Sequence, residues 1–278
     1  MLDETLQKIQ KEELEILLYF DRFCRDNCLK YSLAYGTLIG AARHKGFIPW
    51  DDDIDVFMPR NDFEKLKQKF NSKTDIFFFQ CFVTDQNYLF PYGKIRKNGT
   101  IFKEKKLEKN TINHGFFIDI FPVDGVREKA FKRDNFYIRF YNTLLHSKFI
   151  SNKYRQGRIK LFYSFVKILS VFATRKTCMK RIEHRFEIIN KQCDGKRLRN
   201  YFTSCQWVFF SGNCFDNDNL IEIEFENHMF MCFKNYESVL NLIYGDYKKM
   251  PPIEKQICVH EISELSFGDT YDCKENNQ

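Results

Sequence analysis

No stretch of the 278 residues approaches the about 18 consecutive apolar side chains that a bilayer-spanning helix needs, so no membrane span is expected. The ten cysteines, at positions 24, 28, 81, 178, 193, 205, 214, 232, 258 and 273, include no C-x-x-C pair, the usual spacing of a zinc site or redox motif. They are read as reduced thiols of a cytosolic protein. The opening residues, Met1 to Gln7, are polar and acidic and lack the basic start and apolar stretch of a signal peptide, so export is not expected. Internal repeats and low-complexity tracts are missing as well. What remains is a chain with 44% hydrophobic and 17% aromatic residues, enough for a sizeable core in one large domain or two smaller ones. Its 44 Lys and Arg against 37 Asp and Glu leave a net charge of +7, a modest excess that suits phosphate-bearing ligands or an anionic membrane surface. Nucleic acid is not an expected partner.

Leu6, Ile9, Leu14, Leu17, Leu18 and Phe23 recur at helical spacing and predict an amphipathic helix from about Leu2 to Lys30. Tyr31 to Tyr35 reads as a short strand broken by Gly36, with a short helix from Thr37 to His44 after it. Asp53 to Met58 reads as a second strand, and a Lys-rich helix runs from near Asn61 to Phe70. Further strands are expected at Ile76 to Val83, Tyr92 to Lys97 and Phe116 to Phe121, giving an α+β fold with a mixed or antiparallel sheet flanked by helices. Beyond Gly125, the basic and aromatic segments Lys129 to Ile150 and Arg158 to Lys191 predict a mostly helical second subdomain. From Ile221 the sequence turns strand-like and turn-rich, with a polar end after Thr270. The expected division is a core over 1–125, a helical subdomain over 126–215 and a segment over 216–278 that packs back on the core.

The chemistry concentrates in Trp50-Asp51-Asp52-Asp53-Ile54-Asp55-Val56, where four carboxylates crowd into five positions. On a strand, side chains two apart share a face, so Asp53 and Asp55 are expected to project together. Two carboxylates on one face make a site for a hard cation, Mg²⁺ or Mn²⁺, which keeps waters or substrate phosphates in its other positions. The plain alternative is a solvated acidic loop; the flanking Trp50, Ile54, Val56, Phe57 and Met58 favour a sheet edge instead. A third carboxylate, Asp119, interrupts the apolar run Phe116 to Phe121 and needs a partner there. It either hydrogen-bonds a backbone amide or pairs with Lys94 or Arg96, joins Asp53 and Asp55 as a metal ligand, or serves as general base toward a hydroxyl. Lys94 and Arg96 are counted with the candidate substrate-binding residues. Gly36 and Thr37 sit where a strand turns into a helix, and backbone N–H groups there can approach a phosphate. Arg43, His44 and Lys45 add charge that can balance a departing phosphate, or form an ordinary basic turn.

The run from Tyr35 through Gly36-Thr37-Leu38-Ile39-Gly40 and Arg43-His44-Lys45-Gly46 to Pro49-Trp50-Asp51-Asp52-Asp53-Ile54-Asp55 closely resembles the signature of the LicD family, which is related to the fukutin-type proteins. Met58 to Phe63, Gly115 to Asp124, Tyr244-Gly245-Asp246-Tyr247 and Pro251-Pro252 extend the resemblance along most of the chain. The segment 127–215 matches no motif, and where the family is expected to show Arg and paired His, this chain has Gln256 and a single His260 followed by Glu261. The resemblance implies a nucleotidyltransferase-like core with Gly36 and Thr37 at the phosphate loop and Asp53, Asp55 and Asp119 around Mg²⁺. It further implies an enzyme that moves a phosphocholine-like group from a nucleotide donor such as CDP-choline to a sugar hydroxyl of a surface glycan or lipid-linked oligosaccharide.

Two rival functions carry the same residues. One is a nucleotidyltransferase that leaves the nucleotide on a sugar or small molecule; the other is a non-catalytic scaffold of a glycan-assembly complex, against which the costly clustered carboxylates argue. The apolar, lysine-studded stretch Ile159 to Ala173 reads either as an interfacial helix on an anionic membrane or as a core helix. A cytoplasmic location, with peripheral contact to the inner face of the membrane, is the corresponding expectation.

Overall fold

A computed structural model describes residues 2–70, 75–150, 166, 173–202, 208–258 and 260–268. Among these the central sheet has seven strands. β1 (Ser32–Leu33), β2 (Asp55–Pro59), β3 (Phe77–Gln80), β4 (Gly93–Lys97) and β6 (Phe117–Gly125) lie in the order β1-β2-β6-β4-β3, while β7 (Arg197–Arg199) and β8 (Phe210–Ser211) continue from the far end of β6. β2 and β6 run parallel and every other neighbouring pair is antiparallel, so the sheet is mixed. A parallel pair needs a long crossover. Here the crossover contains α3 (Arg60–Lys69), β3, β4 and β5 (Ile101–Glu104).

The expected amphipathic helix forms α1 (Leu2–Asp26) and buries Ile9, Ile16, Leu17, Phe20 and Cys24, which share one helix face, against β4 and β6. α2 (Tyr35–His44) ends at Lys45, which takes a left-handed φ of 58°, and the chain then folds back over the helix. A side chain at Gly40 is sterically forbidden, because its Cβ would stand 2.4 Å from the Gly46 carbonyl oxygen. β9 (Leu220–Phe225) and β10 (His228–Phe233) form a hairpin whose two loop residues, Glu226 and Asn227, both have positive φ (51° and 61°), as a two-residue turn matched to strand twist requires. The Glu226 carboxylate accepts the Phe47 N–H and so docks the hairpin on the end of α2.

α4 (Phe131–Phe149) and α5 (Arg175–Gln192) pack on each other around Ile138, Leu145, Cys178, Ile182, Phe186 and Ile189, a cluster separate from the main core. The expected helical texture beyond Gly125 is present in these two helices; the stretch Ile159 to Ala173 lies outside the described residues except for Val166 and Ala173. No helix among the described residues is long and apolar enough to cross a membrane. Cys24, Cys28, Cys81, Cys178, Cys193, Cys214, Cys232 and Cys258 are free thiols, and Cys205 and Cys273 lie outside the described residues.

Two expectations need correction. β2 starts at Asp55, two residues later than read, so Asp53 lies just before the strand. The strand-like tail contains a helix, α6 (Tyr236–Tyr244), which buries Val239 and Leu240. Tyr236, Val239, Leu240 and Ile243 are spaced i, i+3, i+4 and i+7, a helical pattern, and α6 packs against α2. The tail's last strand, β11 (Ile262–Ser266), pairs antiparallel with β5.

Candidate active site

Three neighbouring strands and the first turn of α2 position the site. In the parallel β2–β6 pair, Asp55 stands opposite Asp119, and in the antiparallel β4–β6 pair, Lys94 stands opposite the same Asp119. In-register partners share a face, so the three side chains form a row across the sheet. Lys94 Nζ lies 2.6 Å from Asp119 Oδ1, with both residues buried, and 3.3 Å from the centre of the Phe117 ring. The ion-pair alternative for Asp119 is therefore realised, with Lys94 as partner. Thr37 Oγ1 accepts the Asp55 N–H at 2.8 Å and ties α2 to the start of β2. Gly36 lies close under the acidic turn: a Cβ there would meet Asp51 Oδ2 at 2.5 Å and push that carboxylate aside.

The tightest acidic group is Asp51, Asp52 and Asp53, whose carboxylate oxygens lie within 4.8 Å of one another. Among the described residues it is the one group of this kind, so the expected trio of Asp53, Asp55 and Asp119 is more spread out than its Asp53 end. Asp52 is clamped by the tail. The His260 N–H donates to Asp52 Oδ2 at 3.2 Å, and His260 Nδ1 lies 3.2 Å from Oδ1. His260 Nε2 is 3.4 Å from Glu104 Oε1, and the ring packs edge-on against Phe102 and Phe117. The β5–β11 pairing brings these residues together. On the other side, Gln10 of α1 donates to the Asp51 carbonyl at 2.9 Å. One turn on, Glu13 is wholly buried and neither of its oxygens has a hydrogen-bond partner.

Burial dominates the electrostatics. Asp51 is pushed up to about 8 by burial, with Asp53 and Asp52 adding like charge. Asp53 is raised by burial against the opposing pull of His260, and Asp55 is raised well above the usual carboxylate range by burial and then by Asp53 and Asp119. Glu13 is raised by burial and by Asp53, Asp52 and Asp51. Glu104 runs the other way: burial would raise it, but Lys94, Lys106 and His260 together pull it down to about 2. Lys94 is lowered by burial, which Asp119 and Glu104 only partly offset. A set of oxygen anions that resists ionisation when left alone is matched to a hard divalent cation, whose charge offsets their repulsion and whose ligands are oxygens.

The remaining sequence candidates do not all converge. Arg43, His44 and Lys45 lie at the other end of α2, about 9 Å along its axis from Thr37. Arg43 donates to His44 Nε2 and to the Tyr247 carbonyl, both at 2.9 Å, and Lys45 pairs with Glu224 at 3.0 Å. Burial and the adjacent Arg43 lower His44. Arg96 is fully buried, donates to Gln80 Oε1 at 2.9 Å and to the Gly115 carbonyl at 2.7 Å, and lies over Phe117.

The sequence pattern described as LicD/FKTN/FKRP, nucleotidyltransferase domain, matches residues 29–155. A Haemophilus influenzae protein named lipopolysaccharide cholinephosphotransferase LicD is 32% identical over 259 residues, which cover 91% of this chain and 94% of that protein. The chain belongs to the LicD family. LicD proteins are transferases, so the enzyme reading of the sequence stands. An uncharacterized protein of Rickettsia prowazekii is 38% identical over 64 residues, 23% of this chain and 21% of its own. The LicD pattern covers α2, the acidic turn, Lys94 and Asp119; it includes neither Glu13 nor His260.

Sequence reasoning passed over three of the residues that meet here. Glu13 had a signal: it falls in register with Ile9, Ile16, Leu17 and Phe20 on the apolar side of α1, where an acid is out of place. Glu104 had none beyond its charge. His260 was noted only as a departure from the family pattern, since nothing local ties it to Asp52, 208 positions away.

Proposed function

We propose that this LicD-family chain transfers a phosphocholine-like phospho-alcohol group from a CDP-activated donor such as CDP-choline to a sugar hydroxyl of a cell-surface glycan or its lipid-linked precursor. The observation that carries the reading is the 32% identity, over 91% of this chain and 94% of the relative, to a protein named lipopolysaccharide cholinephosphotransferase, combined with the carboxylates of Asp51, Asp52 and Asp53 gathered just before β2. The core over 1–125 would hold the donor in a nucleotidyltransferase-like site, and the helices over 126–215 the acceptor, with 216–278 bracing the core.

Asp53, Asp55 and Asp119 are the residues that would hold Mg²⁺ or Mn²⁺, with Asp51 and Asp52 close by. When bound, the cation supplies positive charge against the donor phosphates. The N–H groups of Gly36 and Thr37, at the N-terminus of the ten-residue α2, offer the phosphate a dipole-favoured cradle. Lys94 holds the Asp119 carboxylate at 2.6 Å and fixes its direction. Asp119 then orients the acceptor hydroxyl or takes its proton as the sugar oxygen bonds to the phosphorus and the bond to CMP breaks. Arg96 braces β4 behind Lys94, and Arg43, His44 and Lys45 meet only a ligand long enough to reach the far end of α2.

The test is to incubate the protein with Mg²⁺, CDP-choline and lipopolysaccharide or lipid-linked oligosaccharide and follow CMP release, with Asp53→Ala as control. Release that needs acceptor, cation and Asp53 supports the reading. Nucleotide retained on the acceptor would make the chain a nucleotidyltransferase, and binding without turnover of any CDP-alcohol would return it to the scaffold alternative.

A further inference from the structure

α4 divides its charges by face. Its single acid, Asp134, is buried and spent on Arg127 and Arg185. The outer face carries Lys132, Arg133, Phe136, Arg139 and Phe140, spaced i, i+1, i+4, i+7 and i+8, so all five lie within one arc of the helix. Phe136 is 71% exposed and Phe140 47%, with the two rings stacked at 6.3 Å, while Ile138 and Leu145 on the opposite face are buried. Two neighbouring phenyl rings in water between three cations, with no acid on the face, match a surface that is both apolar and negative.

The surrounding sequence carries the same bias. From Asn135 to Ile182 there are eleven Lys and Arg (139, 148, 153, 155, 158, 160, 167, 175, 176, 180 and 181) and no Asp or Glu. That segment contributes +11 against a whole-chain net charge of +7, so the rest of the chain sums to −4. The positive excess read from composition is therefore concentrated in the sequence from Asn135 to Ile182.

We propose that the outer face of α4 docks on an anionic lipid surface, with Phe136 and Phe140 entering the headgroup boundary and Lys132, Arg133 and Arg139 meeting lipid phosphates. The proposal does not depend on the transfer reading, but it fits the site's position. His146, two turns past the stripe, packs edge-on at 5.8 Å against Phe90, and Phe90 stacks on Tyr92, two residues before Lys94. His146, Phe90 and Tyr92 thus link α4 to the strand that carries Lys94.

Co-sedimentation of the full chain with phosphatidylcholine vesicles, with and without one-quarter phosphatidylglycerol, tests this. Binding is expected only to the anionic vesicles and should weaken as salt is raised. The triple variant Lys132→Gln, Arg133→Gln, Arg139→Gln should bind about a hundredfold more weakly. Phe136→Ser with Phe140→Ser should also weaken binding while leaving the melting temperature unchanged. No binding of the wild type to anionic vesicles overturns the proposal, as does wild-type binding retained by both variants. So does a wild-type dimer in solution that the phenylalanine variant dissociates, which would give this face to a second copy. Intact CMP release in any of these cases leaves the transfer reading standing.

Discussion

Replacing Lys94 by Met removes the charge that faces Asp119 and keeps the side chain's length. Lys94 and Asp119 are buried 2.6 Å apart, and no other ion pair to Asp119 exists among the described residues. The variant strands a carboxylate beside Asp53 and Asp55, which already repel it. Breaking one side of a buried pair costs about 3–5 kcal/mol. For a chain of 278 residues, with about 2.1 cal/mol/K of unfolding entropy per residue, that is a fall in melting temperature of about 5–9 °C. Urea unfolding in EDTA should give the loss directly, and Lys94→Met combined with Asp119→Leu should recover most of it, because no buried charge is then left alone. Saturating Mg²⁺ should shrink the deficit of the single variant. A loss below about 1 kcal/mol in EDTA, or a double variant as unstable as the single, would refute the view that the pair is a linked unit.

Three further outcomes follow from the same site. Glu13→Leu removes a buried carboxylate without partners and should stabilise the cation-free protein by about 1–3 kcal/mol, read as a higher urea midpoint in EDTA; a lower midpoint would mean that Glu13 has a partner there. Thr37→Val leaves the Asp55 N–H without its acceptor and should cost about 1–3 kcal/mol, whereas Thr37→Ser should behave like the wild type; equal loss in both would point to the methyl group instead. His260 is raised above its ordinary value: burial opposes the charged ring, and the Asp52 hydrogen bond with Asp53 and Glu104 outweighs it. A raised folded value means that its stabilisation is full below about pH 6.5 and is lost as pH rises through the folded value. The urea midpoints of wild type and His260→Gln in EDTA should therefore converge from pH 6 to pH 9, and a gap that widens would contradict the sign.

Much of the site was legible because carboxylates stand out among apolar residues. Asp119 within Phe116 to Phe121, and Asp53 and Asp55 beside Ile54 and Val56, are conspicuous on composition alone. The choice of Lys94 over Arg96 was not, because it depends on the β4–β6 register, and one residue of slip would have turned Lys94 to the opposite face. Arg43, His44 and Lys45 misled for a related reason: seven residues are near in sequence, but on a helix they carry a side chain to the far end. Glu13 was hidden by reading α1 for its apolar stripe and not for what interrupts it. His260 was out of reach, since its role is created by the long-range β5–β11 pairing.

The clamp between Asp52 and His260 also has a consequence in time. The two residues are separated by 208 positions. At about 5–20 residues per second, a ribosome needs about 10–40 s to travel that distance. Throughout that interval the nascent chain lacks the histidine that meets Asp52. Completion of the site is thereby tied to late synthesis, and a chain arrested before residue 260 is left with the carboxylates but without the residue that fixes Asp52.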